Sequence, residues 1–175
     1  MNKILLIYKS KYGAAKKYAD ILKNEIKCDC LCLKNFDKSV LNNYDSVIFA
    51  GGIYAGKING INTFKNIYKY MKNKKSAVLC IGASPFDEKA VQKIKEHNLK
   101  GEMKNIPLFY ARGIWDESIM SFKDRFLCKM LQKFVAKQDS ASAPPWMKEL
   151  LSSIGKKRDW VNKDNLFPLI KFLEK

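Results

Sequence analysis

Apolar residues fall along this chain in two alternating rhythms. Lys3 to Tyr8 is apolar without alternation, the pattern of a strand buried on both faces. From Ala14 to Ile26 the period changes, and Ala15, Tyr18, Ala19, Leu22 and Ile26 recur at helical spacing. Further strands are predicted over Asp29–Leu33, Ser46–Ala50, Ala77–Ile81 and Pro107–Ala111, with helices over Ile61–Met71 and Glu88–His97 between them. Gly51-Gly52 punctuates the third strand and Gly82 the fourth. The proline that opens the fifth suits an edge position. Such alternation predicts an α/β fold with helices on both faces of a parallel sheet. The expected form is a doubly wound five-stranded sheet in the order 2-1-3-4-5.

The rhythm breaks after residue 111. A last helix is predicted at Asp164–Glu174, but the stretch 112–162 intervenes. It holds an amphipathic helix near Ile119–Lys137, a linker "DSASAPP" at 139–145, a small helix around Trp146–Ile154, and the basic run "GKKRDW". None of these pieces can bury a core alone. Residues 1–175 are therefore read as a single domain with an elaboration at about 112–162. In the amphipathic helix, Ile119, Phe122, Phe126, Met130 and Phe134, with Leu127 and Leu131 beside them, form an apolar face. Lys123, Lys129, Lys133 and Lys137 form a basic one. The expected place for the apolar face is against the sheet, with an anionic membrane surface as the alternative.

Composition narrows the class. A hydrophobic fraction of 47% fits a globular chain. No apolar stretch approaches the roughly 20 residues of a membrane span, and the apolar part of the N-terminus is short for a signal peptide. A cytoplasmic protein is expected, with peripheral attachment to the inner face of the membrane as the variant that the amphipathic helix leaves open. Five cysteines without an export signal should be reduced thiols. Cys28, Cys30 and Cys32 alternate and so share one strand face. No second ligand cluster accompanies them, so they are read as packing beneath a helix and not as a metal site. The charge is the unusual total: 33 Lys and Arg against 17 Asp and Glu give +16. That field attracts anions, but the lysines are spread along the whole length and no aromatic-basic base-reading motif is present. Nucleic acid is therefore the least favoured partner.

The chemistry concentrates at strand ends. In a doubly wound sheet, ligands bind beyond the carboxyl ends of the strands, where the winding reverses. Here that point lies between strands one and three. Their exits are Ser10-Lys11-Tyr12-Gly13 and Gly51-Gly52-Ile53-Tyr54-Ala55-Gly56-Lys57, and Gly82-Ala83-Ser84-Pro85-Phe86 lies beside them. A helix that begins at Ala14 leaves free N–H groups and partial positive charge at its mouth. Gly13 allows close backbone approach, and Ser10 and Tyr12 can donate further hydrogen bonds. A phosphate monoester fits this cradle. G-x-x-x-x-G-K-[ST] and G-x-G-x-x-G are both absent, which argues against nucleoside triphosphates and dinucleotides. Two flexible walls carrying Tyr54 and Phe86 beside a phosphate cradle suit a flat ring on a phosphate-bearing tail, which describes FMN.

"YKSKYGAAKKYA", "AGGIYAGKI" and "GASPF" resemble the three flavin loops of flavodoxin-like proteins. "FKDRFLCKMLQKF" at 122–134 and the "DW" at 159–160 resemble the later part of the flavodoxin-type, menaquinone-dependent protoporphyrinogen oxidases. The resemblance is strongest over 4–60 and 119–130 and departs from that family over 138–158. It implies that Ser10, Lys11, Tyr12, Gly13, Ala14 and Ala15 surround the phosphate, with Tyr12 and Ala15 standing where threonines are usual. Ile53, Tyr54, Ala55, Gly56 and Lys57 would flank one side of the ring, and Ala83, Ser84, Pro85 and Phe86 the other.

The function expected on this basis is an FMN-dependent oxidoreductase. It would pass electrons from a reduced organic substrate, protoporphyrinogen IX by the resemblance, to a quinone-like acceptor. A tetrapyrrole with propionates would suit a basic rim built from Arg112, Arg125 and Lys57. Lys57 beside the ring, with the overall charge, would favour the reduced anionic flavin. No residue reads as a proton-transfer catalyst, and His97 reads as a surface residue. Two alternatives stand beside this reading: a one-electron carrier with no substrate of its own, and a flavin-free basic binding module.

Overall fold

The computed structural model describes residues 2–71, 73–137 and 145–174. Five long strands form the sheet: β1 (Ile4–Lys9), β2 (Cys28–Cys32), β3 (Ser46–Tyr54), β5 (Lys75–Gly82) and β6 (Leu108–Arg112). A two-residue strand, β4 (Lys57–Ile58), folds back antiparallel on β3. The order is β2-β1-β3-β5-β6, with parallel pairing throughout the five. With the short β4 set aside, this is the predicted 2-1-3-4-5.

The connections place helices on both faces, as continuous apolar strands require. Helix α1 (Ala14–Glu25) and the C-terminal α6 (Phe167–Glu174) cover one face. There Tyr18, Leu22, Leu166 and Leu169 pack on Leu6, Ile48 and Leu79. Helix α2 (Ile61–Tyr68) covers the other, where Phe64 stacks on Phe49 at 4.7 Å between ring centroids. Helix α3 (Glu88–Asn98) lies beyond it on the same side. Cys28 and Cys30 join the α1 side as expected, with sulfur atoms 3.9 Å apart and Cys30 donating to the Ala19 carbonyl.

The elaboration holds α4 (Phe122–Val135), α5 (Pro145–Ser152) and a two-stranded ribbon, β7 (Ile114–Trp115) with β8 (Arg158–Asp159). The expected linker at 139–145 lies outside the described residues except at Pro145.

Two differences from the sequence reading matter for the site. The third strand does not stop at Gly51-Gly52; it runs to Tyr54 and turns back through Ala55 and Gly56 into β4. Both turn residues have positive φ, 48° and 76°, which is the two-residue hairpin whose twist matches paired strands. The second difference is α4. Its large apolar residues face solvent, and Gln132 and Val135 face inward instead.

Candidate functional site

Beyond the carboxyl ends of β1, β3, β5 and β6 lies a cavity of about 760 Å³, within the range of ligand pockets. Its floor is the first strand–helix turn. Gly13 caps α1 with φ 93°, a conformation that glycine adopts without strain. No side chain caps this helix, and its first turn carries no acid, so the free amides and partial positive charge of the helix start are left uncompensated. Ser10 faces the same space. Its hydroxyl is buried without a hydrogen-bond partner among the described residues, which is costly unless a ligand or a water supplies one.

Tyr12 does something the sequence did not indicate. Its hydroxyl donates to Asp124 at 2.5 Å and accepts from the Ser121 N–H at 3.0 Å. Lys11 pairs with the same Asp124 carboxylate. The expected phosphate donor is thus turned toward the start of α4, where it latches that helix to the first loop. The Lys11 ammonium, with Tyr12 second, holds the Asp124 carboxyl below the usual carboxylate range. A lowered folded-state pKa stabilises above the unfolded value, about 3.9, and the contribution disappears as pH falls through the folded one. Protection of the α4 amides against hydrogen exchange should therefore fall at acidic pH. The Asp124→Asn variant should lack that dependence, while an unchanged profile in the variant would assign the loosening elsewhere. The effect is small, about 1 kcal/mol or less for so exposed a pair.

The hairpin β3–β4 forms one wall with Ile53, Tyr54, Ala55 and Gly56. It is held from α3 by Asn98, a residue just past the predicted helix end. Asn98 accepts from the Ile58 N–H at 2.9 Å and donates to the Gly56 carbonyl at 2.8 Å. Burial pushes the Tyr54 phenol up to about 12, so it stays protonated at neutral pH and can act as a donor. The third loop supplies Ala83, Ser84 and Pro85. Tyr110 fixes it by donating to the Ser84 carbonyl at 2.6 Å.

Ser10, Lys11, Tyr12, Ala14 and Ala15 thus meet the predicted residues of the second and third loops in one cavity; Gly13, Lys57 and Phe86 are not on its wall. Lys57 is exposed on the hairpin, and Phe86 is exposed against Tyr110. The proposed basic rim is also rearranged. Arg112 pairs with Glu149 at 3.4 Å, donates to the Ala83 carbonyl, and lies 4.2 Å over the Trp160 ring. Arg125 donates to three carbonyls at Glu117, Ser118 and Met120. Both arginines brace the elaboration. Wall charges nearly balance, with Lys11 and Lys93 facing Asp87, Asp124 and Glu149, so the large net charge of the chain is not focused here.

Sequence reasoning missed the far wall. Leu127, Cys128 and Leu131 of α4, Trp146, Leu150 and Ser153 at α5, and Trp115 and Trp160 of the ribbon region all line the cavity. Ser153 is buried, and its hydroxyl, too, lacks a partner among the described residues.

Comparison with known proteins adds a family. A family model described as "Flavodoxin domain" matches residues 5–142. An uncharacterized protein of Methanocaldococcus jannaschii is 27% identical over 106 residues, covering 57% of this chain and 67% of its own. Among solved structures, the Trp repressor binding protein from Bacillus subtilis is 19% identical, with 63% of this chain and 84% of that one covered and a TM-score of 0.45. A Fusobacterium nucleatum flavodoxin bound to flavin mononucleotide is 18% identical, with 47% and 53% covered and a TM-score of 0.39. Both likenesses are distant, and the family assignment rests on the match over residues 5–142.

Proposed function

The chain belongs to the flavodoxin domain family, and from that premise we propose that it binds FMN and passes electrons from a reduced organic substrate to a quinone-like acceptor. The observation that carries the flavin is Ser10: a buried hydroxyl with no partner among the described residues, beside a helix start with no acid and no side-chain cap. A phosphate supplies what both lack. Small residues at Ala14 and Ala15 leave the cradle open.

In this reading the α1 amides and Ser10 hold the phosphate. Ile53, Tyr54 and Ala55 bound one side of the ring, and Ala83 to Pro85 the other. Bound FMN supplies the electron-transfer chemistry. Tyr54, protonated at neutral pH, offers a hydrogen-bond donor to the ring and no base. Lys11 and Tyr12 position α4 through Asp124.

An organic substrate is favoured over a bare carrier role by the far wall. Leu127, Leu131, Trp146 and Leu150 enlarge the cavity on its α4–α5 side with apolar and aromatic surface, which a carrier has no need of. Protoporphyrinogen, with menaquinone as acceptor, is the first pair to assay, on the resemblance of 119–130.

The test separates binding from turnover. Titration of the purified chain with FMN should quench flavin fluorescence. The Ser10→Ala variant should bind more weakly by roughly ten- to hundredfold, since one hydrogen bond to a charged group contributes about 1.5–3 kcal/mol. The FMN-free form of that variant should melt no lower than wild type, because it loses a buried unsatisfied hydroxyl. Unchanged FMN affinity in Ser10→Ala would remove Ser10 from the site.

A further inference from the structure

We propose that the solvent-facing side of α4 docks on the surface of a bilayer containing anionic phospholipid. Phe122, Phe126, Met130 and Phe134 follow one another at four-residue intervals, and they are 87%, 54%, 54% and 58% exposed. Leu127 and Leu131 are exposed beside them. Both faces of the sheet are covered by other helices, so the core does not need this surface. A helix of this length presents a strip of roughly 21 Å, wide enough to lie in a headgroup layer.

The charges select the occupant. At about 100° per residue, Lys123, Lys133 and Lys137 fall among the four exposed apolar residues, and Lys129 falls at their border. They do not form a separate opposite face. The one acid in Phe122–Val135, Asp124, is turned inward to Lys11 and Tyr12. Among the described residues, this side of α4 therefore offers apolar side chains interspersed with ammonium groups and no exposed acid. An anionic bilayer meets both demands at once: the phenylalanines enter the acyl boundary while the lysine stems extend to lipid phosphates. A second copy of the chain would bring +16 against +16 and lysine against lysine. A nucleic acid would neutralise the lysines but leave the aliphatic side chains in water. Since Asp124, Leu127 and Leu131 also line the cavity, docking would bring the cavity's α4 wall to the bilayer.

Flotation of the full chain with phosphatidylglycerol–phosphatidylcholine vesicles tests this at low salt and at about 0.15 M. Binding is expected, with none to phosphatidylcholine alone. The triple variant Phe122→Ser, Phe126→Ser, Phe134→Ser should weaken it by at least about tenfold with an unchanged circular dichroism spectrum. Lys123→Gln with Lys133→Gln should weaken it while leaving the fold intact. The proposal is overturned if the wild type fails to float with the anionic vesicles. Equal binding by the serine variant also overturns it, since that reports only the diffuse charge of the chain. So does a size-exclusion dimer that the serine variant dissociates, or RNA binding that the serine variant abolishes.

Discussion

The Ser10→Asp variant is expected to fold and to be colourless. Ser10 sits in the turn before α1, on the cavity wall, and its hydroxyl has no partner among the described residues. Aspartate there would place a carboxylate where the proposed phosphate must sit. Two like unit charges about 4 Å apart cost about 4 kcal/mol at the effective dielectric of a protein surface, so FMN affinity should fall by at least about hundredfold. The fold should not suffer, because the α1 start carries no acid and an anion near it contributes roughly 0.3–1 kcal/mol. The signature is a pair of opposite changes: flavin binding lost and the melting temperature of the FMN-free chain held or raised. Ser10→Ala should fall between this variant and wild type. A Ser10→Asp protein that quenches FMN fluorescence near the wild-type affinity would place the phosphate elsewhere, and the proposed ring position would go with it.

What could be read from the residues follows from what local pattern encodes. Leu5 to Ile7 and Val47 to Ala50 are buried on both sides, and such strands declare themselves by unbroken apolar runs. The start of α1 at Gly13 is legible because glycine and the change of period need no distant partner, and Ser10, in the turn before it, is on the cavity wall. Partners far along the chain were not. Tyr12 reads as a phosphate donor until α4 brings Ser121 and Asp124 to its hydroxyl. Lys57 reads as a ring neighbour until β4 pairs with β3 and carries it outward. Trp146, Trp160 and Ser153 reach the cavity only through the fold of the elaboration. The period over α4 predicts a helix, and a helix is found, but the apolar face predicted to lie on the sheet faces solvent. A hydrophobic period fixes which residues share a face and leaves open what the face touches. Gly51-Gly52 reads as a strand end because glycine pairs usually interrupt strands, yet β3 runs on to Tyr54.

The passage of β3 through Gly51 underlies the largest stability effect expected here. Gly51 is not a hinge. It sits in the middle of β3, paired to Lys9 on one side and Cys80 on the other. A Cβ at this position would lie 2.6 Å from the Asn59 carbonyl oxygen and 2.9 Å from the Ile58 side chain. The first contact is backbone, fixed because the Asn59 N–H donates to the Gly52 carbonyl at 2.8 Å and Asn98 holds Ile58 and Gly56. Glycine is required so that the returning β4 can lie flat over β3. Gly51→Val should therefore force the hairpin off the sheet, at a cost of about 3 kcal/mol and a melting temperature lower by roughly 6–12 °C. Tyr54 and Ala55 ride on that hairpin, so FMN binding should weaken as well. Gly52→Ala is the contrast. The three atoms nearest its added Cβ all belong to the Tyr54 side chain, at 3.1 to 3.4 Å, and a side chain can rotate where a carbonyl cannot. It should cost about 1 kcal/mol or less yet still disturb flavin binding through Tyr54. A Gly51→Val protein that melts within about 2 °C of wild type, under 1 kcal/mol by the same scale, would mean that β4 is free to move aside, and the hairpin could not then serve as a rigid wall of the site.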